Sequence, residues 1–215
     1  MSTDEIAEFE KFLTSHLPVD IRELLSFTRG IQWAPPCIRE IDFANVTRNH
    51  GFAAAFPEHV VIGCEDSSTH WVVDIDPATG AWGRVYYATY MPYEILLQAE
   101  SLGDFLGQVF QDSPGDIVGV LGAPRERTPT DLPLRNDPAV QNDSVLRDFA
   151  AELPDDFRIA DLRSGKPGDG FAWSFSGHDP EIRRHPSMPV FAVRYEKHQS
   201  LLGWVKGPIG KPTGQ

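Results

Sequence analysis

A chain of 215 residues, 41% hydrophobic and 11% aromatic, has apolar material for one large or two small cored domains. No run approaches the roughly 18–20 apolar residues of a membrane helix, and the acidic opening Met1-Ser2-Thr3-Asp4-Glu5-Ile6 lacks the regions of a secretory signal. The net charge of −12 is uneven: residues 1–112 hold 17 Asp and Glu against 6 Lys and Arg, residues 113–215 hold 14 against 13. An acidic first half disfavours nucleic acid and anionic membranes and favours a basic partner, although on charge alone plain solubility is the preferred reading.

The two cysteines, Cys37 and Cys64, make neither a disulfide framework nor a metal motif. Both stand beside apolar residues and read as buried small hydrophobes in a reducing cytoplasm. Over residues 4–16, Ile6, Phe9, Phe12 and Leu13 recur at helical spacing behind Asp4, Glu5 and Glu8. Leu17-Pro18 breaks this helix and opens another, with Ile21, Leu24, Leu25 and Phe27 as its apolar stripe and Gly30 as its cap. Trp33-Ala34-Pro35-Pro36-Cys37 reads as a loop, residues 38–46 as a strand or a helical turn, and residues 52–56 as an apolar connector.

Residues 58–90 are the sheet centre. Val60, Val61 and Ile62, then Trp71 to Ile75, then Val85, Tyr86 and Tyr87, are short β-branched and aromatic runs cut by a polar loop at 65–68 and by Asp76-Pro77-Ala78-Thr79-Gly80. That pattern predicts an antiparallel meander, with Gly80 taking a positive φ in the second turn. Residues 91–97 lead into a helix at 101–110. Ser101 and Asp104 begin it, and Leu102, Phe105, Leu106, Val109 and Phe110 form its apolar face.

Residues 113–143, with five prolines, read as a linker or wrapping arm. A helix over 144–153 and runs at 157–160, 171–176, 189–195 and 201–205 form a small α+β module over 144–215, marginal alone and expected to pack on the first domain. The fold class is therefore α+β: an antiparallel twisted sheet with flanking helices in residues 1–112, then the smaller module. A chain ending near 115 is expected to fold by itself.

Several segments of the first half resemble the SUKH superfamily. Residues 8–30 give an acidic helix, Leu17-Pro18 and a second helix ending at Gly30, with Ile21 and Arg29 where an aromatic and Asn are common. Val61-Ile62-Gly63 precedes an acidic loop, and the next strand ends in Asp74 near Asp76. Ser67-Ser68-Thr69-His70-Trp71 replaces the usual Gly-rich sequence, and Ser101-Leu102-Gly103-Asp104-Phe105-Leu106 is similar to the closing helix. The resemblance spans roughly residues 4–112. It implies a binding fold: a cytoplasmic immunity protein that neutralises a cognate toxin domain of nuclease or deaminase type. The alternatives are a regulatory adaptor of the same superfamily, or a small hydrolase using the His-bearing tail.

No Gly-x-Ser-x-Gly, Walker or dinucleotide motif occurs, and Gly165-Lys166-Pro167-Gly168-Asp169-Gly170 reads as a turn. His178, His185 and His198, with Asp179 and Glu181, lack His-x-x-x-His spacing and read as solvated. A catalytic triad gathered from distant positions stays open. The expectation is a non-enzyme with no cofactor, no metal, no nucleic acid and no membrane partner. Its partner-binding residues are expected to be Glu65, Asp66, His70, Trp71, Asp74 and Asp76, plus Trp33 as an exposed aromatic anchor. For Trp71 a core place in the strand is the preferred reading; Asp74 and Asp76 read also as turn-shaping residues, and Tyr86, Tyr87 and Tyr90 as the lining of one sheet face or as core.

Overall fold

The computed structural model describes residues 1–32, 40–46, 52–64, 68–90, 93–111, 124, 126–174 and 181–194. The readings of Trp33, Cys37 and residues 201–205 lie outside them. Helix α1 (Thr3–Glu10) is closed at its start by a reciprocal cap. The Ser2 hydroxyl accepts from the Glu5 N–H, and the Glu5 carboxylate accepts from the Ser2 N–H. Helix α2 (Val19–Phe27) begins at Pro18. The elbow between them is held by Glu10, whose carboxylate receives the Leu17 N–H at 2.9 Å and the Arg22 guanidinium at 2.7 and 2.8 Å. Gly30 does not cap α2, which ends at Thr28; it opens strand β1 (Gly30–Gln32).

Eight strands form one sheet in the order β1-β2-β3-β4-β5-β6-β9-β7. They are β1, β2 (Glu40–Asp42), β3 (His59–Cys64), β4 (Thr69–Ile75), β5 (Trp82–Tyr90), β6 (Tyr93–Ala99), β7 (Thr128–Pro129) and, from the second half, β9 (Asp169–Ser174). All neighbours are antiparallel except β7 and β9. Residues 38–46 thus contain a strand, and residues 93–99, predicted only to lead into a helix, are a strand at the sheet's middle. In the β4–β5 turn Gly80 has φ +73°, and a Cβ there would lie 2.4 Å from the His16 carbonyl oxygen. Position 80 therefore needs glycine for both conformation and space.

Period-two alternation assigns the two faces. Val60, Ile62, Trp71, Val73, Ile75, Val85, Tyr87 and Leu96 face α1, α2 and helix α3 (Leu102–Gln111), packing on Ile6, Phe9, Ile21, Leu25, Phe105 and Val109. Val61, Val72, Tyr86, Ala88, Ile95 and Leu97 face the other way, toward Phe52 and Phe56 and toward residues of the second half. That second layer is a three-stranded sheet, β10 (Glu181–Arg184), β11 (Val190–Arg194) and β8 (Phe157–Asp161), which offers Ala160, Ile182, Phe191 and Val193. Its outer side carries Phe157, Ile159, Val190 and Ala192 against α4 (Pro138–Gln141) and α5 (Ser144–Ala151). The layers run helix, sheet, sheet, helix, with one core crossing the boundary the sequence places at residue 112.

Among the described residues, Phe12, which follows the end of α1, and Phe27, Phe110 and Cys64 depart from their predicted burial. Phe27 and Phe110 are exposed, because each falls on the far side of its helix from Leu25 and Phe105. Cys64 is exposed as the last residue of β3, next to the polar loop. Among the described residues no helix is long and apolar enough to cross a membrane.

Candidate protein-binding surface

Glu65, Asp66 and Trp33 lie outside the described residues. Strands β1 and β3, which run into them, point toward the same end of the sheet, as do β5 and β9. His70 sits near that end but is buried, edge-on to Phe52 at 5.4 Å and to Tyr90 at 6.3 Å. Tyr90 stacks on Phe52 at 4.7 Å and meets Trp173 of β9 edge-on at 5.6 Å. Burial pushes the Tyr90 hydroxyl up to about 12, so it stays a neutral phenol at physiological pH. Trp71 is buried against the helix layer and edge-on to Tyr87, which is the core position that its place in a strand also allowed.

Asp74, the last residue but one of β4, and Asp76, just past its end, lie at the opposite end of the strand. Asp74 accepts a two-pronged hydrogen bond from Arg184 of β10, Nη1 to Oδ1 at 2.6 Å and Nη2 to Oδ2. The same guanidinium lies over the rings of Phe56 and Phe191. Both side chains are largely sealed, Arg184 at 7% and Asp74 at 15% exposure. Burial raises the Asp74 carboxyl above its ordinary value, and the guanidinium partly pulls it back. Asp76 accepts the Ala78 N–H at 2.8 Å, and that bond, with Thr79, holds its carboxyl low. This is turn-shaping work. The seven sequence-predicted residues are therefore not one patch: two are at one end of β4, two are buried along it, and three lie outside the described residues.

The Asp74 end opens into a cleft of about 280 Å³, walled by Pro57, Pro77, Pro186 and Pro189 and floored by Arg84, Arg163 and Arg184. The arginines are already engaged. Arg84 donates to the carbonyls of Leu162 and Arg163 and pairs with Glu100; Arg163 pairs with Asp143 and Asp161 at 2.7 Å each. With its donors used internally, the cleft is a seam joining the two halves and offers little to an incoming anion. Sequence reasoning missed Arg84 and Arg163 altogether, since their partners stand some 80 and 20 residues away or across a turn.

In the tail, His178, Asp179 and His198 lie outside the described residues. Glu181 pairs with Arg183 and Arg194, and His185 packs edge-on to Phe149, its pKa lowered by burial and then by Arg184. Among the described residues no group of three His, Cys, Asp or Glu side chains is placed to hold a metal. Lys166 and Asp169 close the Gly165–Gly170 stretch as a turn, through Asp169 N–H to the Lys166 carbonyl at 2.9 Å.

Among the described residues, the helix layer leaves Phe12, Val19, Phe27 and Phe110 exposed. Residues 1–108, from α1 into α3, match the model of the SMI1 / KNR4 family (SUKH-1). The chain belongs to that family. No curated protein and no solved structure gives a significant match. The SUKH-1 segment therefore comprises the first helix layer and β1 to β6, while β7 to β11, α4 and α5 lie beyond it.

Proposed function

We propose that this protein is an immunity protein that binds a basic toxin domain and blocks it. The observation that carries the reading is the coincidence of two boundaries. The SUKH-1 match, in a family that includes toxin immunity proteins, ends at residue 108, and a net charge of −11 is held by residues 1–112. A strongly acidic recognition half speeds encounter with a basic partner and fixes its orientation. Glu65 and Asp66, with Trp33, are assigned to that acidic surface; His70, Trp71, Asp74 and Asp76 support the fold behind it. On this reading the protein acts in the cytoplasm by contact alone, without catalysis or cofactor.

The reading expects a large secreted protein to be encoded next to this chain, and its absence counts against the reading; the test is co-expression with that protein's C-terminal domain. Growth arrest by that domain, relieved by this protein through a stable one-to-one complex, is the expected result. Continued arrest with no complex sinks the proposal. Relief without a complex, accompanied by turnover of a toxin substrate or product, points to the enzyme instead.

A further inference from the structure

Helix α2 carries a stripe that the fold leaves unused. Ile21 and Leu25 set its inward face, and Phe27 follows Leu25 by two residues, roughly 200° further round a helix. Phe27 is 90% exposed and Val19 is 73% exposed. Asp20 and Glu23 are exposed beside them, and all four side chains fall within roughly 100° of arc. Neighbouring cations do not neutralise the pair of carboxylates: Arg22 is turned to Glu10, and Arg29 is turned to Asp42. No ion pair of the described residues involves Asp20 or Glu23. The other broad apolar surface of the SUKH-1 half, the second sheet face, is already filled by β8, β10 and β11.

We propose that Val19, Asp20, Glu23 and Phe27 form the docking stripe for the partner, a basic protein surface with an apolar pocket. Phe27 enters the pocket, and the two carboxylates meet Lys or Arg on its rim. This rests on the reading of a basic toxin domain as partner and names the surface that holds it. A second copy of this chain is a poor occupant, since it would bring two uncompensated carboxylates against two more. A buried aromatic anchor within a charged rim divides the kinetics: the charges act on association and the aromatic on dissociation.

The experiment uses the full chain and, as probe, the purified C-terminal domain of the adjacent secreted protein. Association and dissociation are followed at low and at physiological salt. Phe27→Ser is expected to speed dissociation about tenfold or more, and Phe27→Tyr to retain most of the affinity. Asp20→Asn with Glu23→Lys is expected to slow association about tenfold at low salt and to flatten its salt dependence. Thermal midpoints should stay near the parent value, because the side chains are exposed. Phe12→Ser, at the exposed apolar position beside Val46, serves as the control and should bind like the parent. If the parent binds and the stripe variants bind equally well, or if Phe12→Ser weakens binding as much as they do, the stripe is wrong and the toxin reading stands. If the parent forms no complex, both fall. A homodimer of the parent that Phe27→Ser disperses also overturns the assignment, in favour of self-association.

Discussion

Arg184 and Asp74 are a buried ion pair joining residues 110 positions apart, one in each half of the chain. Removing one partner strands the other charge in the protein interior. Arg184→Met is expected to lower stability by about 3–5 kcal/mol in urea denaturation, and adding Asp74→Asn should recover part of that loss. Additive losses in the double variant would show that the two groups do not act as a pair. Asp143 offers a contrasting, half-exposed case. Arg163, then the Leu146 N–H, holds its carboxyl down to about 2, below the unfolded value of 3.8. A depressed folded pKa contributes stability that is complete above the unfolded value and is lost as pH falls toward the folded one. The difference in urea midpoint between the parent and Asp143→Asn should therefore be full at neutral pH, shrink below pH 3.8 and be nearly gone at about pH 2. A difference that does not change with pH would mean that the charge of Asp143 contributes nothing.

At the scale of elements, β9 joins the sheet because residue 170 has no side chain. A Cβ there would stand 2.2 Å from the Ile95 carbonyl oxygen and 2.6 Å from Leu96 Cδ2. Gly170→Ala should destabilise the protein by about 1–3 kcal/mol. In α3, a Cβ on Gly107 meets nothing within 4 Å, so Gly107→Ala should stabilise by about 0.5–1 kcal/mol. Equal signs for the two substitutions would contradict this geometry. The elements legible in the sequence were those with a strong period or a distinctive turn: α1, α2, α3, and the meander with its Asp76–Gly80 turn. β6 escapes the sequence pattern because it is buried on both faces: Ile95, Leu96 and Leu97 follow one another without alternation, and Glu94 and Gln98 are buried beside them. The short β10 was missed because half its residues are arginine, and their partners, Asp74 among them, stand outside any local window. Apolarity alone puts Phe27 on the buried stripe, whereas the helical angle from Leu25 turns it outward. For the candidate site, composition conveyed the acidity of the first half. It could not convey which carboxylates are already engaged.

For the whole molecule, the sequence suggests a self-sufficient first half, whereas the structure shares a core across it. Val61, Val72, Tyr86, Ala88, Ile95 and Leu97 are covered on one side by residues 160–193. A chain truncated after residue 112 loses that cover and the β9 partner of β6 together. It is expected to bind a hydrophobic dye, to lack sharp near-ultraviolet circular dichroism and to aggregate. A soluble, cooperatively unfolding fragment would show instead that the SUKH-1 segment carries its own stability and that the tail is an addition to it.

The placement of β9 also sets a timetable. While the chain is being synthesised, β6 leaves the ribosome well ahead of its outer neighbour. Adding the roughly 70 residues between Ala99 and Gly170 takes about 4–14 s at ~5–20 residues per second. For that interval β6 has an unpaired edge, and the face beside it is bare. Both are features on which nascent chains stick to one another. Ribosome-bound chains arrested before β9 emerges should be digested readily by protease, and those arrested after β11 emerges should resist. A cell that makes this protein must shelter an unfinished sheet for several seconds before its last strands arrive.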